Sequence, residues 1–352
     1  MGLYMGAFST IMFLVLLAVI IILFWPKMQE AAQIAESVLS NNHPNLNFSA
    51  NYTSSNHLFS PTQLINYTLT LINKDRSSNG LPNVTLSNSS TGQQHADSML
   101  QYGYFSHWDT YGMKPYMRYT ILGGRGSVQE NLAYTKSGIN ACLAGYCTTY
   151  GNLNLTKSIA QLEYNMMYND SACCNNGHRS NILDRYHNQV SLGIAYNNTN
   201  IYLVEDFINN YITWINGTPD NQGSEILLSG TTAGNYLLSG IEIGYEPPMA
   251  NMTVQQLGQT SEYSYGASIA VVVPKAPKFY LGSPPLVADK YYVNGNSFQV
   301  SFSLQKLIKQ YGAGEYSVGL WLNTTPTKAS LAGSSYTFFV NSNGSIYVPN
   351  KV

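Results

Sequence analysis

The chain has 352 residues, enough for about two folded units at 100–200 residues each. Only 10% of them are Asp, Glu, Lys or Arg, against about 25% in an average soluble protein, and the net charge is −1. A nucleic-acid binder needs a basic stripe to neutralise phosphates, so that class is excluded, as is steering of strongly charged substrates. In chain order, residues 7–25 come first. They carry no charge and are almost all apolar. At 1.5 Å per residue the run spans about 28 Å, close to the hydrocarbon core of a bilayer. Trp25 and Lys27 suit the interface, and nothing basic precedes the run, so it reads as a retained transmembrane anchor rather than a cleaved signal peptide. Residues 26–58 follow as a polar stalk.

One lysine after the span weakly favours a cytoplasmic body under the positive-inside rule. Twelve N-x-S/T sequons favour the other side: Asn47, Asn51, Asn66, Asn83, Asn88, Asn154, Asn169, Asn197, Asn216, Asn251, Asn323 and Asn343. Glycosylation would place these on an extracellular surface. The expected location is a single-pass cell-membrane protein with its body outside. The four cysteines, Cys142, Cys147, Cys173 and Cys174, suit that compartment as disulfides. Two of their three connectivities tie the 142–147 loop to the 173–174 loop. The third needs a bond between adjacent residues.

Ser60-Pro61 reads as a helix start, with Leu64, Ile65, Leu69 and Ile72 on one face. Further helices are predicted at about 92–102, 115–122 and 155–168. Val190–Tyr196 and Ile201–Phe207 alternate around an Asn-Asn turn as an antiparallel hairpin. The first domain, 59–215, therefore mixes helices with an antiparallel sheet. Residues 216–223 (NGTPDNQG) read as a linker. From 224 to 352 nearly every segment reads as a short strand, the spacing of an all-β immunoglobulin-like sandwich, with one helical turn at 304–311.

Three stretches of the first domain have distinctive wording. They are Tyr104–Asp109 (YFSHWD) leading to Lys114-Pro115, Glu130–Tyr134 (ENLAY), and Asn175–Leu183 (NNGHRSNIL), followed by Leu203–Phe207 (LVEDF). Their order over about 60–210 resembles the CAP superfamily of cysteine-rich secretory, antigen-5 and pathogenesis-related proteins, in its prokaryotic SCP-like form. The resemblance implies an α-β-α sandwich within an overall α+β fold. It also implies a cleft holding two histidines and two acids. Matched residue by residue, these are His107, Glu130 and His178, with Glu163 as the second acid if the register of its helix holds; one turn further on, Met166 takes that place.

Two neutral imidazoles and a carboxylate suit Zn²⁺ or another divalent metal with one position open to water. Without metal, the same groups hydrogen-bond each other. The expected function is a membrane-anchored extracellular protein that binds a divalent metal or a small ligand in this cleft, with a lipid or a surface protein as further partners. A structural or adhesive envelope component, self-associating and without an active cleft, is the first alternative. A metal-dependent hydrolase of peptides or envelope polymers, with Glu163 as general base, is the second. Whether the protein is an enzyme stays open. Arg118 and Arg179 read as partners of carboxylates, and His95 as a surface or helix-packing residue.

Overall fold

A computed structural model of the chain describes residues 60–137, 139–143, 146–148, 153–215, 220–222, 224–260, 262–275, 285–324, 330–347 and 349, with backbone alone at 139–143, 146–148, 173 and 220–222. The expected span at 7–25 and stalk at 26–58 lie outside these residues, as do Asn47, Asn51 and Asn216. No described helix is long and apolar enough to cross a membrane.

The first part builds a six-stranded sheet with helices on both faces. Helix α1 (Pro61–Ser78) starts on a capping box: the Ser60 hydroxyl accepts from the Gln63 N–H, and the Gln63 side chain accepts from the Ser60 N–H. Next come β1 (Thr85–Leu86), α2 (Thr91–Tyr102), α3 (Pro115–Ile121), β2 (Ser127–Lys136), β3 (Ile139–Leu143), β4 (Tyr146–Thr148) and α4 (Leu155–Tyr168). The short helices α5 (Ser171–Cys174) and α6 (Gly177–Ile182) precede the hairpin β5 (Gln189–Tyr196) and β6 (Asn200–Asn209). The strand order is β1-β5-β6-β2-β3-β4.

Side-chain alternation along β6 sorts two cores. Ile201, Leu203 and Phe207 pack with Leu64 and Ile72 of α1 and with Ile159, Leu162 and Met166 of α4. Tyr202 and Val204 pack with Ala96 and Met99 of α2, and Ile208 packs with Tyr116 and Met117 of α3. Covered on both faces, β6 is buried from Ile201 to Asn209, which is why the acids Glu205 and Asp206 end up inside. Helix α2 crosses β5 at glycine contact: a Cβ on Gly193 would stand 2.0 Å from the Gly92 carbonyl. Arg76, fully buried, ties α1 to the far end of the GHR segment. Its Nε donates to Pro82 O, and its terminal nitrogens donate to the carbonyls of Ile182, Asp184 and His187 at 2.7–3.1 Å.

The second part is two sheets around one apolar core. One runs β12-β11-β10-β15-β16-β17, comprising Pro285–Val287, Ala267–Val273, Leu237–Glu246, Gly314–Asn323, Leu331–Val340 and Ile346–Tyr347. The other runs β13-β14-β9-β7, comprising Lys290–Asn294, Ser297–Ser303, Glu225–Thr232 and Ile212–Trp214; β8 (Asp220–Gln222) also pairs with β9. Ile226, Leu228, Phe298, Val300 and Phe302 of the second sheet meet Ile241, Ile243, Val318 and Leu320 of the first. All pairs are antiparallel except β11–β12. Ile212–Trp214, counted with the first domain from sequence, is hydrogen-bonded into the second domain's sheet. The connection from β10 to β11, which carries α7 (Val254–Leu257), returns to the first domain. The remaining helix, α8 (Gln305–Tyr311), is the expected turn of helix.

Candidate functional site

Strand β2 carries the ENLA glutamate, and its register decides that residue's surroundings. Glu130 stands directly opposite Asp206 on β6, while Asn131 stands opposite Glu205. Successive residues of a strand point to opposite faces. Glu130 and Asp206 therefore lie toward α3, and Asn131 and Glu205 lie toward α4.

On the α3 side, Glu130 is a hub. Its Oε2 accepts from an Arg118 terminal nitrogen at 2.7 Å, and its Oε1 accepts from His107 Nδ1 at 2.9 Å. Arg118 also donates to the carbonyls of His107 and Met113, fixing the loop that carries His107. Burial, together with the nearness of His178 and the positive charge of Arg118, lowers the His107 pKa to about 3. The His107–Glu130 contact is thus a hydrogen bond from neutral imidazole to carboxylate, and Arg118 supplies the compensating charge. Burial raises the Glu130 pKa to about 7 against the opposing pull of Arg118. Asp206, with no donor on either oxygen, is pushed well above the carboxylate range by burial and by Glu130, and holds a proton against it.

His178 sits at the start of α6 and is held the same way by a different acid. Its Nδ1 lies 2.6 Å from Asp170 Oδ1, and Asp170 Oδ2 accepts the Arg179 N–H at 3.1 Å. His178 is close enough to His107 to contribute to the lowering of its pKa. The two rings are thus similarly built. Each Nδ1 is engaged by a buried carboxylate, and neither Nε2 has a hydrogen-bond partner among the described residues. Their side chains are 21% and 13% exposed.

Glu163 is not with them. It faces Glu205 across the other side of the sheet, only 2% exposed, with no donor to either oxygen. Burial and Glu205 hold its pKa well above the carboxylate range, so it keeps a proton and donates it to Glu205, whose other donor is Asn131 Nδ2 at 3.2 Å. Glu163, the expected second acid, thus lies beside Glu205, and the acid beside His178 is Asp170. The α4 register turns Glu163 into the sheet, and the chain must leave that helix before an acid can reach His178. Glu130 has both oxygens engaged, one by His107 and one by Arg118.

Asp170, Cys174 and His178 have ligand atoms within 4.8 Å of one another, the spacing of a metal triad. Cys174 is disulfide-bonded, so its sulfur is not the thiolate a metal needs. The side chains of Cys142, Cys147 and Cys173 lie outside the described residues, and so does the pairing. His95 is not on the surface: it is 1% exposed, with Nε2 on Ser106 O at 2.8 Å, and stands behind Glu130. Arg179 bonds the Met167 carbonyl at 2.8 Å.

The second domain supplies part of the wall. Beyond the reach of β3, the open edge of β2 is closed by two tyrosines. Tyr263 Oη accepts the Glu130 N–H at 3.0 Å, and Tyr265 Oη donates to Val128 O. The Tyr263 ring lies 5.0 Å from His107, and Tyr265 lies 4.6 Å from Tyr116. Lys114 joins this seam by pairing with Glu246, as does the Tyr116 hydroxyl. Sequence reading missed Asp170, Tyr263 and Asp206. The only local hint was an acid eight residues before the GHR histidine, just past a helix end.

Two layers of helix on one sheet define an α+β domain, which carries two carboxylate-held histidines. Residues 69–214 match the model of the cysteine-rich secretory protein family, CAP; the chain carries a CAP domain of that family. Among solved structures it is similar to an extracellular protein containing a SCP domain from Bacillus anthracis str. Ames. Identity is 20% over 43% of this chain and 44% of that one, with a TM-score of 0.30. It is also similar to the CAP domain of Enterococcal PrgA, 17% identical over 42% of this chain and 62% of that one, with a TM-score of 0.28. The chain thus covers less than two thirds of either. No curated protein matches it in sequence.

Proposed function

We propose that this is a membrane-tethered extracellular protein whose CAP domain takes one divalent cation between His107 and His178. One observation carries the reading: each ring has Nδ1 engaged by a buried carboxylate, Glu130 for His107 and Asp170 for His178, leaving Nε2 uncommitted. Metal-binding histidines are commonly held this way, because the carboxylate fixes the tautomer and raises ligand basicity. Two imidazoles with water in the remaining positions suit Zn²⁺, which would polarise a bound water or carbonyl. With Glu163 sealed against Glu205, no general base from that residue accompanies the reading. Calorimetric titration of the full-length chain with Zn²⁺ tests it. His107→Ala and His178→Ala should each weaken binding at least ten-fold, and unchanged affinity in both would sink the proposal.

The outside location is supported by the apolar run 7–25, by membership of a family described as secretory, and by the sequons. Of the nine described sequon asparagines eight are exposed and Asn323 is half-buried, whereas the buried Asn131, Asn165, Asn181 and Asn209 all fall outside sequons. The second domain supports an immunoglobulin-like reading by strand order. β7-β9-β14-β13 follows the A-B-E-D sequence, and β12-β11-β10-β15-β16 follows C″-C′-C-F-G of the variable type. The parallel β11–β12 pair departs from that pattern. Such a domain fits a surface or adhesive role alongside the cleft.

A further inference from the structure

The described sheets end at β1 and β4, at β12 and β17, and at β13 and β7. Open edges offer unpaired backbone groups to other strands, and proteins blunt them with short strands, prolines or charges. Five of these edges are only two or three residues long. β13 (Lys290–Asn294, KYYVN) is the exception. It runs five residues in unbroken register with β14, has no proline, and carries one charge, Lys290, at its end. Among the described residues no strand pairs with its other side. Register sets its faces. Tyr291 and Val293 stand opposite Val300 and Phe298, both in the core, so they face the core side; Tyr292 stands opposite Gln299 on the outer face. Val293 is nevertheless 38% exposed, because the sheet stops there. Tyr292 is 52% exposed, and so is Val287 just before it, on edge strand β12 of the facing sheet. The sequons within 224–352 leave this edge clear: Asn251 lies in the β10–β11 connection, Asn323 ends β15 and Asn343 follows β16.

Another strand covers such an edge, and β13 complements itself. A second copy related by a two-fold axis brings its β13 in antiparallel, presenting the same patch. Core-facing side chains meet core-facing ones only if the axis falls on a residue, since a slip of one residue swaps the faces. Centred on Tyr292, the axis pairs the whole strand: Tyr292 with its own copy, Tyr291 with Val293, and Lys290 with Asn294. Aromatic pairs and aromatic–β-branched pairs are favourable across strands, and no like charges stand opposite each other. The two Lys290 residues fall about 14 Å apart along the seam, beyond the screening length of about 8–10 Å. We propose that two copies of this chain associate by antiparallel pairing of β13 with β13 about a two-fold axis at Tyr292, which makes the β13-β14-β9-β7 sheet continuous across the pair and covers Val293. The contact is one short strand long, so it belongs with the small interfaces that form and part with concentration. It does not depend on metal in the His107–His178 cleft.

Sedimentation velocity of the full-length chain in detergent micelles, with EDTA present, reads the assembly state over about a hundred-fold range of concentration. The wild type should pass from monomer to dimer across that range. Tyr292→Lys puts like charges directly opposite each other and should raise the dimer dissociation constant about ten-fold or more, and Tyr292→Glu should do the same. Both changes fall at an exposed position and leave the core intact. An equal mixture of the two variants should regain dimers, because position 292 meets its own copy and the mixed pair is of opposite charge. Tyr347→Lys, at an exposed ring on the β17 edge, should leave the dimer unchanged. Four results would overturn the proposal: a wild type that stays monomeric throughout, which leaves the edge bare or open to a strand of a different chain; a dimer indifferent to Tyr292→Lys; one weakened equally by Tyr347→Lys; or a mixture no more dimeric than its two components.

Discussion

Replacing Glu163 by glutamine should make the protein less sensitive to rising pH. Glu163 and Glu205 are buried against each other, and no donor reaches either Glu163 oxygen. The folded state therefore keeps a proton on Glu163 that the unfolded chain releases near the ordinary glutamate pKa. A pKa raised on folding gives stability that is full below the unfolded value and is lost as pH rises toward the folded one. Each retained proton is worth about 1.4 kcal/mol per pH unit over the range in which the folded state alone keeps it. The window matters because His95, His107 and His187 have lowered pKa values through burial. Their opposite contribution is complete above the ordinary histidine value of about 6.5 and flat beyond it. Glutamine carries a permanent N–H donor toward Glu205. Glu163→Gln should therefore match the wild type within about 1 kcal/mol at pH 5 and then gain on it as pH rises, by a few °C in Tm for each pH unit over which the folded wild type alone holds the proton. Thermal melts of both proteins across pH 5–8.5 read this directly. Parallel curves would refute the shared-proton pair.

Other substitutions probe the scaffold. Gly193→Ala would place a Cβ 2.0 Å from the Gly92 carbonyl, where α2 rests on β5. Neither backbone can give, so thermal denaturation should show a loss of about 3 kcal/mol or more. Arg76→Lys keeps the charge but cannot span the four carbonyls that Arg76 bridges. Urea unfolding should register a cost of about 3 kcal/mol. Tyr263→Phe leaves the Glu130 N–H of β2 without its acceptor. A loss of about 1–2 kcal/mol with unchanged far-ultraviolet dichroism is expected, showing that the second domain braces the first.

The sequence exposed what local pattern controls. Ser60-Pro61 marked α1 because cap and first-turn chemistry are local. The β5–β6 hairpin followed from alternation around Asn197, whose side chain accepts from the N–H groups of Thr199 and Asn200. The His107 and His178 motifs could be picked out by wording. Their partners could not, because each depends on distant packing. Asp170 meets His178 only after α4 ends and α5 turns the chain. The helix phase of α4, set by Ile159, Leu162 and Met166 in the core, carries Glu163 to the opposite face of the sheet. Tyr263 lies 133 residues from Glu130 in a connection with no strong periodicity. The acid pairs Glu130–Asp206 and Glu163–Glu205 arise from strand register and from burial on both faces, neither of which a single segment encodes.

The central claim is that His107 and His178, steadied by Glu130 and Asp170, hold one metal ion. Anomalous diffraction at the zinc edge from crystals of the full-length chain grown with Zn²⁺ tests it most directly. The account predicts a single strong peak about 2.0–2.1 Å from Nε2 of both rings, lost in His107→Ala. A peak bonded to neither ring, or to His178 and Asp170 without His107, would contradict it.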